Sequence, residues 1–416
     1  MNKYPIMYNN VPDTVRQAIE LYGDILPILK EMKNCEQDHR YHAEGNVEIH
    51  TNMVLSWINK FIDNEAKHLP DSKKTILKFA ALLHDISKST VSRVVEKNGE
   101  FYIRTPRHEA TGFEYLATKL HIIIPDIEMC REILHLVLFH QPPKHLVIKN
   151  ECEAKWRNLA RYVDMELMYW LELADMRGRE ADDYDNNIMY MELFKVGCEE
   201  YNLFNSNPFS ELKIRLHESF MNKSFKWLTK AYHNSINSLL DGSCNSIEEC
   251  IAKAYNIPNE FPEFIMLCGP SGSGKSRYLS KLPNATVINM DNIRLELTGD
   301  VSDQSENGTV QQMAKERLKE ALRTPGLVVW DNTSLRSELR AKQLQLARDY
   351  GASTKIIVFQ LTEAELYSNN KNRSNPVPEH ILVKQLESFQ FPLPNEADIV
   401  EVVNNKCDII RIEGLI

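Results

Sequence analysis

The sequence has few of the features that mark secreted, membrane and thiol-ligated metal proteins. Its eight cysteines are scattered and include no C-x-x-C pair, which argues against a thiolate zinc site and against a disulfide framework. No apolar run approaches the ~18 residues that a membrane span needs. The opening segment, MNKYPIMYNN, lacks the basic and apolar regions of a signal peptide. We therefore expect reduced structural thiols, a cytoplasmic location and no membrane partner.

The chain also lacks an excess of basic residues. It has 49 Lys and Arg against 58 Asp and Glu, a formal charge of −9. This argues against non-specific binding to long duplex nucleic acid, which needs a broad basic surface. It does not exclude recognition of a nucleic-acid end, where a few local cations suffice.

The residues that are present divide the chain into two unlike halves. Ten of the thirteen histidines lie before residue 146. From about 12 to 200, apolar residues recur at helical spacing, apart from a predicted hairpin at 93–104 around an Asn-Gly pair. Later, short β-rich runs alternate with helical stretches, at 264–269, 285–290, 327–332 and 355–361. Because 416 residues exceed one hydrophobic core, we predict an all-α domain followed by an α/β domain with a mainly parallel sheet.

The clearest motif of the second half is GPSGSGKS at 269–276, which fits G-x-x-x-x-G-K-S between a predicted strand and a predicted helix. In such a loop, glycines let backbone N–H groups surround phosphates, the lysine reaches the β- and γ-phosphates, and the serine ligates Mg²⁺. The sequence therefore predicts a site for ATP and Mg²⁺ made by Gly269, Ser271, Gly272, Ser273, Gly274, Lys275 and Ser276.

The next predicted strand ends in DNIR, which places Asp291 and Arg294 one helical turn apart. A kinase needs a carboxylate to take the proton of the attacking hydroxyl and a cation to hold the acceptor in line. These two residues suit those roles. The structural alternative is an N-capping aspartate with a surface arginine.

Two later segments carry further candidates. After the strand LVVW, there are two functional interpretations: Asp331 supports Mg²⁺, or Thr333 and the pair Arg336 and Arg340 contact the acceptor. A core-facing strand with a capped exit fits equally well. The segment LYSNNKNRSNPVPEH (366–380) is predicted to be a mobile lid, and its candidate cations for the transferring phosphoryl group are Lys371 and Arg373. The alternative is that the segment is a plain solvated loop.

The motifs GxxGSGKS and DxxR, followed by a basic lid, resemble the polynucleotide 5′-kinase branch of P-loop phosphotransferases. The resemblance implies ATP-dependent phosphorylation of a 5′-hydroxyl on RNA or DNA. Asp291 would be the general base, and Arg294 would contact the phosphate next to the acceptor nucleoside.

The first half carries a different kind of candidate site. In FAALLHDISKS (79–89) an apolar helical face ends in His84 and Asp85, which are costly to bury without a partner. Adjacent helical residues point ~100° apart, which suits a chelate in which Asp85 also bridges to a second ion. Other candidate ligands lie in apolar helical runs on either side: His50, His108, His140 and Asp175.

Imidazole and carboxylate ligands select a transition metal, such as Mn²⁺, Ni²⁺, Co²⁺ or Zn²⁺, over calcium. Such a metal lowers the pKa of bound water and polarises a phosphoryl oxygen. Taken singly, each histidine is better interpreted as a satisfied core residue. The whole set within 126 residues is not, because joint burial without a common partner would be costly.

The order of these ligands resembles the HD phosphohydrolase superfamily. The resemblance implies a single-metal core of His50, His84, Asp85 and Asp175, with His108 and His140 added in members that bind two metals. HDISK departs from the family, which usually has glycine before the lysine, and Ser87 should be tolerated unless that position needs a positive φ. The cations nearest a substrate phosphate would be Lys88, Arg177 and Arg179, although the two arginines fit a helix-end surface equally well. His42 is a lesser candidate for protonating a leaving group.

Over essentially its whole length the chain resembles the bacterial bifunctional HD-domain polynucleotide kinases of RNA repair. The polar segment DGSCNS at 241–246 is the best linker candidate. We therefore predict an HD phosphohydrolase at 1–245, with a metal-binding core at about 40–200 and additional helices at 200–245, and a kinase at 246–416 with a lid at about 362–395. The first would remove a 3′-phosphate or 2′,3′-cyclic phosphate and the second would phosphorylate 5′-hydroxyl ends. The expected partners are RNA ends, or DNA ends, and functionally an RNA ligase.

The sequence leaves two alternatives. One is an HD nucleotidase fused to a nucleoside or small-molecule kinase, against which Arg294 argues because a free nucleoside has no phosphate for it to meet. The other is a non-catalytic, ATP-gated module with a structural metal. Structural sites are usually closed and four-coordinate, whereas six candidate ligands suggest an open site.

Overall fold

The computed structural model describes residues 11–204, 206–301, 303, 305–373 and 375–414. Its contacts divide the chain into two compact units. The first contains the residues up to Ile214 and the segment Leu239–Ser243, and the second contains Arg215–Ser238 and the residues from Cys244 onward.

The first unit is helical apart from one hairpin among the described residues, as predicted. Its helices are α1 Val15–Tyr22, a 3-10 helix Pro27–Asn34, α2 Val47–Asp63, α3 Asp71–Leu83, α4 Lys88–Val91, α5 His108–Ala117, α6 Leu120–Ile123, α7 Ile127–Phe139, α8 Pro142–Ile148, α9 Glu153–Ala160, α10 Met165–Arg177 and α11 Tyr184–Glu200. Every residue of α10 from Met165 to Met176 is buried, since α10 packs against α2, α3 and α11. A helix buried on all sides forms the centre of a core.

Side-chain caps fix where three of these helices begin. Asn46, Asp126 and Asp164 accept hydrogen bonds from backbone N–H groups in the first turns of α2, α7 and α10. Such caps satisfy donors that have no partner within the helix. Each of these helices carries, or ends directly before, a predicted metal ligand, so the caps help to set the ligand positions.

The predicted hairpin at 93–104 is confirmed. Strands β1 (Arg93–Lys97) and β2 (Glu100–Arg104) are antiparallel. Asn98 and Gly99 have φ values of 56° and 80°, as a two-residue type I′ turn requires. The hairpin lies in the chain between α4, which follows the His-Asp motif, and α5, which begins at His108.

The second unit is an α/β domain, as predicted. Its strands are β3 Pro262–Cys268, β4 Thr286–Ile288, β5 Gly326–Trp330, β6 Ser353–Phe359, β7 Ile399–Val403 and β8 Ile409–Gly414; the helices from the unit division onward are α12 Ser210–Ser219, α13 Phe225–Leu240, α14 Ile247–Ala254, α15 Lys275–Leu279, α16 Met290–Thr298, α17 Asn307–Ala321, α18 Ser337–Asp349, α19 Glu363–Lys371 and α20 Glu379–Glu387. Among the described residues the sheet has six strands in the order β4-β5-β3-β6-β7-β8, parallel except for β7 and β8. The four predicted runs correspond to β3–β6, whereas β7 and β8 were not predicted.

The predicted boundary at 245 differs from the observed division, because residues 215–238 pack with the second unit. Nε1 of Trp227 in α13 donates to the carbonyl oxygens of Ile257 and Pro258, at 3.3 and 3.1 Å. Lys226 pairs with Glu263 on β3 at 2.5 Å. The apolar periodicity of α13 predicted a buried face but not the core that buries it.

Over the described part of the chain, no helix combines the length and apolar character that crossing a bilayer requires.

Candidate active sites

The six predicted metal ligands converge in the first unit. They come from five helices, and each lies in a first or last turn or directly after a helix end. No more than 7% of any of them is exposed: His50, His84, Asp85, His108, His140 and Asp175.

Asp85 joins two groups of ligands. Its Oδ2 lies 3.2 Å from Nε2 of His84 and 3.6 Å from Nε2 of His50. Its Oδ1 lies 3.2 Å from Nε2 of His108 and 3.9 Å from Nε2 of His140. One carboxylate therefore faces two histidine pairs through its two oxygens, which is the arrangement of a bridging ligand.

The ring nitrogens of the cluster fit a metal. Nδ1 of His84, His108 and His140 lies 2.8, 2.9 and 2.8 Å from a carbonyl oxygen three residues earlier. Because a carbonyl only accepts, that nitrogen carries the proton, and the neutral ring has a lone pair at Nε2. Nε2 of His108 and Nε2 of His140 face each other at 3.2 Å, and Nε2 of His84 is buried with no hydrogen-bond partner among the described residues. Lone pairs that converge without a donor fit a divalent transition metal.

His50 is held on both sides by carboxylates. Its Nε2 lies 2.9 Å from Oδ1 of Asp175, and its Nδ1 lies 2.9 Å from Oε1 of Glu44. The Glu44 side chain is 1% exposed and also accepts from Nδ1 of His42 at 2.8 Å and from the N–H of Glu180 at 3.0 Å. A carboxylate that accepts from Nδ1 leaves Nε2 to the metal, as in carboxylate–histidine–metal triads.

Neighbouring cations keep both carboxylates of the cluster ionised. Burial raises the pKa of Asp85, but the Lys88 ammonium, 2.7 Å from Oδ2, is the largest of the opposing causes, and the pKa is held well below its usual range. Burial likewise raises the pKa of Asp175. Arg179 pairs with both oxygens of that carboxylate, and this pairing keeps its pKa well below the usual range.

The three predicted phosphate-binding cations occupy different places. Lys88 and Arg179 contact ligands of the cluster, as described above. Arg177 instead lies over the rings of Trp57 and Phe61, with its Cζ 5.0 and 5.2 Å from their centroids. This packing engages the guanidinium, so the structure favours Lys88 and Arg179 over Arg177.

Ser87, which stands where the HD family usually has glycine, is tolerated, as expected. Its φ is −89°, so this position does not need glycine. Its Oγ donates to the carbonyl oxygen of His108 at 2.5 Å, which ties the His-Asp motif to the start of α5.

In the second unit, the motif at 269–276 lies between strand and helix, as predicted: residues 269–274 form the loop after β3, and Lys275 and Ser276 begin α15. Gly272 and Gly274 have φ values of 81° and 100°, and a Cβ on Gly272 would lie 3.1 Å from the carbonyl oxygen of Leu366. The N–H groups of both glycines have no partner among the described residues, and Oγ of Ser273 is buried without one. The loop thus offers unpaired donors for phosphate oxygens.

Lys275 lies folded onto its own loop. Its Nζ donates to the carbonyl oxygens of Gly269 and Pro270, both at 2.8 Å. Burial lowers the pKa of Lys275 to about 8; Asp331 opposes this shift and Arg373 adds to it. Asp331 and Arg373 are therefore electrostatic neighbours of the lysine.

The N-cap alternative for DNIR is wrong. The N-cap of α16 is Asn289, whose side chain accepts from the N–H of Asn292, and Asp291 lies in the first turn. Arg294 is 8% exposed and donates to Oδ1 of Asp291 at 2.6 Å and to Oδ1 of Asn307 at 3.0 Å. Asp291 has 66% of its side chain exposed, so an accessible carboxylate is backed by a buried guanidinium.

Asp331 and Thr333 follow β5 and lie beside these motifs. Nδ2 of Asn289 donates to Oδ2 of Asp331 at 2.8 Å, and the carbonyl oxygen of Thr333 accepts from the N–H of Gly269 at 2.9 Å. Both residues therefore lie at the carboxyl edge of the parallel strands, where open α/β sheets bind ligands.

The prediction that Arg340 contacts the acceptor is wrong. It is 1% exposed, and its Nε and Nη2 donate to Glu396 at 2.6 and 2.8 Å. Its Nη1 donates to backbone carbonyls that include those of Ser334 and Leu335, both at 3.0 Å. Arg340 thus holds the segment after β5 in place.

The segment predicted as a lid, 362–395, contains α19 and α20. Asn369 of α19 donates to the carbonyl oxygen of Gly272 at 2.9 Å, and Gln385 of α20 accepts from the N–H of Ser271 at 2.8 Å. The two predicted lid cations are exposed: Lys371 and Arg373. Both helices therefore touch the phosphate loop, and their movement stays a prediction.

Two family models match the chain. The HD domain model matches residues 47–165, and the AAA domain model matches residues 264–392. The chain carries an HD domain followed by a P-loop domain. No curated protein matches it. It is similar to the crystal structure of a gluconokinase from Sinorhizobium meliloti 1021, with 22% identity over 35% of this chain and 83% of that chain and a TM-score of 0.26, a likeness too low to bear on the substrate.

Sequence reasoning missed two acidic residues of the HD domain. Glu44 had no helical pattern to reveal it, because it precedes α2 in a turn. Glu172 lies one turn before Asp175 and is 2% exposed; burial and the charge of Asp175 raise the pKa of Glu172 well above its usual range. The i, i+3 spacing of the two carboxylates in ELAD is a signal that could have found it.

Proposed function

We propose that the chain is a bifunctional nucleic-acid end-healing enzyme. The HD domain removes a 3′-phosphate or 2′,3′-cyclic phosphate, and the P-loop domain phosphorylates a 5′-hydroxyl. The observation that carries the proposal is Asp291 backed by Arg294 near a phosphate loop, in a chain that also holds six converging metal ligands. An exposed carboxylate suits a general base, and a guanidinium suits an acceptor phosphate, which a free nucleoside or sugar lacks.

In the kinase reaction, Asp291 accepts the proton of the 5′-hydroxyl. That oxygen bonds to the γ-phosphorus of ATP, the bond to the β-phosphate oxygen breaks, and ADP leaves. Lys275 and the loop N–H groups hold the β- and γ-phosphates, and Ser276 and Asp331 would hold Mg²⁺. Arg373, an electrostatic neighbour of Lys275, adds positive charge where the phosphoryl group transfers.

In the hydrolytic reaction, one water cleaves the single ribose–O–P bond of a 3′-phosphate and releases inorganic phosphate. A 2′,3′-cyclic phosphate needs two waters, the first to open the ring to a monoester and the second to release the phosphate; in each step the released ribose oxygen takes up a proton and the water oxygen stays on phosphorus. The residues that would hold divalent metal are His50, His84, Asp85 and Asp175, with His108 and His140 extending the site from Asp85. Such an ion supplies an activated water and stabilises charge on the phosphoryl oxygens. Glu44 sets the tautomer of His50, Arg179 fixes Asp175, and Lys88 offers a cation to the substrate phosphate.

The two activities complement each other chemically. Ribonuclease cleavage commonly leaves a 2′,3′-cyclic phosphate on one side of a break and a 5′-hydroxyl on the other, and a ligase can use neither. One domain would repair each side. RNA ends are therefore the proposed substrates, DNA ends are the alternative acceptors, and an RNA ligase is the proposed functional partner.

A single RNA substrate tests both halves. The purified protein is given ATP, Mn²⁺ or Ni²⁺ and an RNA strand with 5′-hydroxyl and 2′,3′-cyclic phosphate ends, and both termini are analysed. His84→Ala should abolish only the 3′ change and Lys275→Ala only the 5′ change. The proposal would be contradicted if either variant lost activity on both RNA ends. It would also be contradicted if the unaltered protein converted neither end.

The acceptor class is tested separately. A 5′-hydroxyl oligonucleotide should be phosphorylated with a higher kcat/KM than the matching nucleoside, and Arg294→Ala should remove most of that preference. Equal use of the two acceptors would favour a nucleoside or small-molecule kinase.

A further inference from the structure

The β1–β2 hairpin of the HD domain has one basic face and one apolar face. Residues paired across an antiparallel ladder lie on the same face, and successive residues alternate. The pairs Arg93–Arg104, Val95–Tyr102 and Lys97–Glu100 therefore share a face. The other face carries Val94, Glu96, Phe101 and Ile103.

The basic face has cations that the protein does not neutralise. Arg93, Lys97 and Arg104 are exposed, and none has a carboxylate partner in the described part of the chain. Arg104 lies over the ring of Tyr102, with its Cζ 5.4 Å from the centroid. In a chain of net charge −9, three unpaired cations on one short hairpin form a local site for a polyanion.

A fourth cation fixes the hairpin to the domain from the same face. Arg40 has its Cζ 3.7 Å from the Tyr102 centroid, donates to Glu100 at 3.1 Å and to the carbonyl oxygen of Phe101, and pairs with Asp38 at 2.9 Å. Tyr102 is thus covered by guanidinium groups from two segments, which sets the orientation of the basic face.

The basic face and the predicted metal ligands are separated by only a few residues along the chain. Arg104 precedes His108 by four residues, so their Cα atoms are at most ~14 Å apart. The segment that carries Arg40 also carries His42 and Glu44, and both of these contact the cluster at His50. A chain whose end reaches the metal ligands is therefore within reach of the hairpin.

We propose that this basic face binds the phosphodiester backbone of a single-stranded RNA whose 3′ end is processed in the HD domain. The proposal rests on the proposed hydrolytic function. Guanidinium and ammonium groups neutralise successive phosphates without reading sequence, and Tyr102 with its covering guanidiniums offers a surface for base stacking. The hairpin therefore makes the HD domain selective for polynucleotide ends over mononucleotides.

The test compares two substrates in the full-length, metal-loaded protein. One is a single-stranded RNA of ten nucleotides with a 2′,3′-cyclic phosphate and a 5′-phosphate, which removes the kinase acceptor. The other is the matching 2′,3′-cyclic mononucleotide. Arg93→Ala/Arg104→Ala should lower kcat/KM about tenfold on the RNA and leave the mononucleotide unchanged. By fluorescence anisotropy, the slope of log affinity against log salt should fall by about 1.4, since each lost phosphate contact accounts for about 0.7 on a single strand.

Two further variants serve as controls. Arg16→Ala/Lys67→Ala removes the same charge from exposed positions elsewhere in the first unit and should leave both substrates unaffected. Arg93→Lys/Arg104→Lys keeps the charge and should retain most of the RNA activity, which separates phosphate binding from a folding defect.

The outcomes separate this proposal from the proposed function. If the unaltered protein hydrolyses neither substrate, the hydrolytic function fails and the hairpin proposal fails with it. If it hydrolyses both and the hairpin variant loses activity on both equally or on neither, the hydrolytic function stands and the hairpin proposal is overturned. An equal loss in the Arg16/Lys67 control would overturn it too.

Discussion

The HD and P-loop sites hold their charged groups in opposite ways. In the HD domain no ligand is more than 7% exposed, and three histidines present Nε2 lone pairs to one another. In the P-loop domain, Asp291 has 66% of its side chain exposed and pairs with Arg294, while Lys275 donates to two carbonyls of its own loop. The HD site leaves acceptor atoms without donors. The P-loop site pairs its cationic side chains with its own carbonyls and a carboxylate, and leaves the N–H groups of Gly272 and Gly274 unpaired among the described residues.

The difference reflects what each site binds. A metal needs several lone pairs within one small sphere, and such a set cannot satisfy itself because every member is an acceptor. A phosphate needs donors, and the side-chain donors among them, Lys275 and Arg294, can be paired with nearby carbonyls and a carboxylate until the phosphate replaces these partners. The HD site should therefore depend on its bound metal to keep its residues in place. The P-loop site should instead respond to changes in pH that alter the charge of its cations.

The strongest test of this contrast is a substitution of Asp85, the residue that faces both histidine pairs of the HD site. Asp85→Asn keeps the shape of the side chain but removes its charge and one acceptor oxygen. Bound metal measured by mass spectrometry should fall to near zero, and hydrolysis should fall by at least about a hundredfold, more than the loss from an outer-shell change. His140→Ala should lower the metal content only in part, because it contributes to one group.

Another buried histidine provides the control. His135 lies on α7, the helix that ends directly before His140. It is 5% exposed, and its Nδ1 lies 2.9 Å from the carbonyl oxygen of Tyr162. His135→Ala should leave the metal content unchanged. If His140→Ala emptied the site as fully as Asp85→Asn, the two groups would form one indivisible metal site.

Support from outside the ligand set should matter next. Glu44→Gln removes the charge that holds His50 in place, and we expect metal affinity to weaken about 10- to 100-fold. Competition with a fluorescent chelator measures this without an activity assay. Glu48→Gln, in the first turn of α2, is the matched control. Equal affinities in the two variants would show that Glu44 acts only on local structure.

The P-loop site should respond to pH instead. The pKa of Lys275 is about 8 without ligand, mainly because of burial, and a bound triphosphate favours the protonated form. Affinity for ATP is therefore full below pH 8 and declines above it, by about tenfold between pH 7 and pH 9 for a single such proton. Calorimetry in buffers of different ionisation enthalpy should show proton uptake on ATP binding that rises with pH, with the midpoint of this rise near pH 8. Constant affinity over this range would mean that the lysine binds in the same protonation state throughout.

The same contrast explains how much could be predicted from sequence. A candidate metal ligand is a polar residue in an apolar helical run, and this local pattern identified all six of the residues that converge in the HD domain. The hairpin and the phosphate loop are also local, since an Asn-Gly turn and three glycines have few alternative conformations. Fold class followed from the change of hydrophobic period.

The features that the sequence could not decide depended on distant partners. Arg177 and Arg179 are two residues apart at one helix end, and the contacts of Arg177 with Trp57 and Phe61 have no local signature. Arg340 is buried because of Glu396, 56 residues later, a pairing that has no local signature. Likewise, the apolar face of α13 could not reveal which of two cores would bury it.

The smallest expected effect tests whether exposed cations of the P-loop domain act together. Arg373 lowers the pKa of Lys275, so Arg373→Ala should raise it and move the midpoint of proton uptake on ATP binding to higher pH. Lys371→Ala removes an equally exposed charge two residues away and should move the midpoint less. The midpoint is informative because it is independent of any affinity that either cation contributes directly. A downward shift, or equal shifts in both variants, would show that the segment after α19 does not place Arg373 near the lysine in solution.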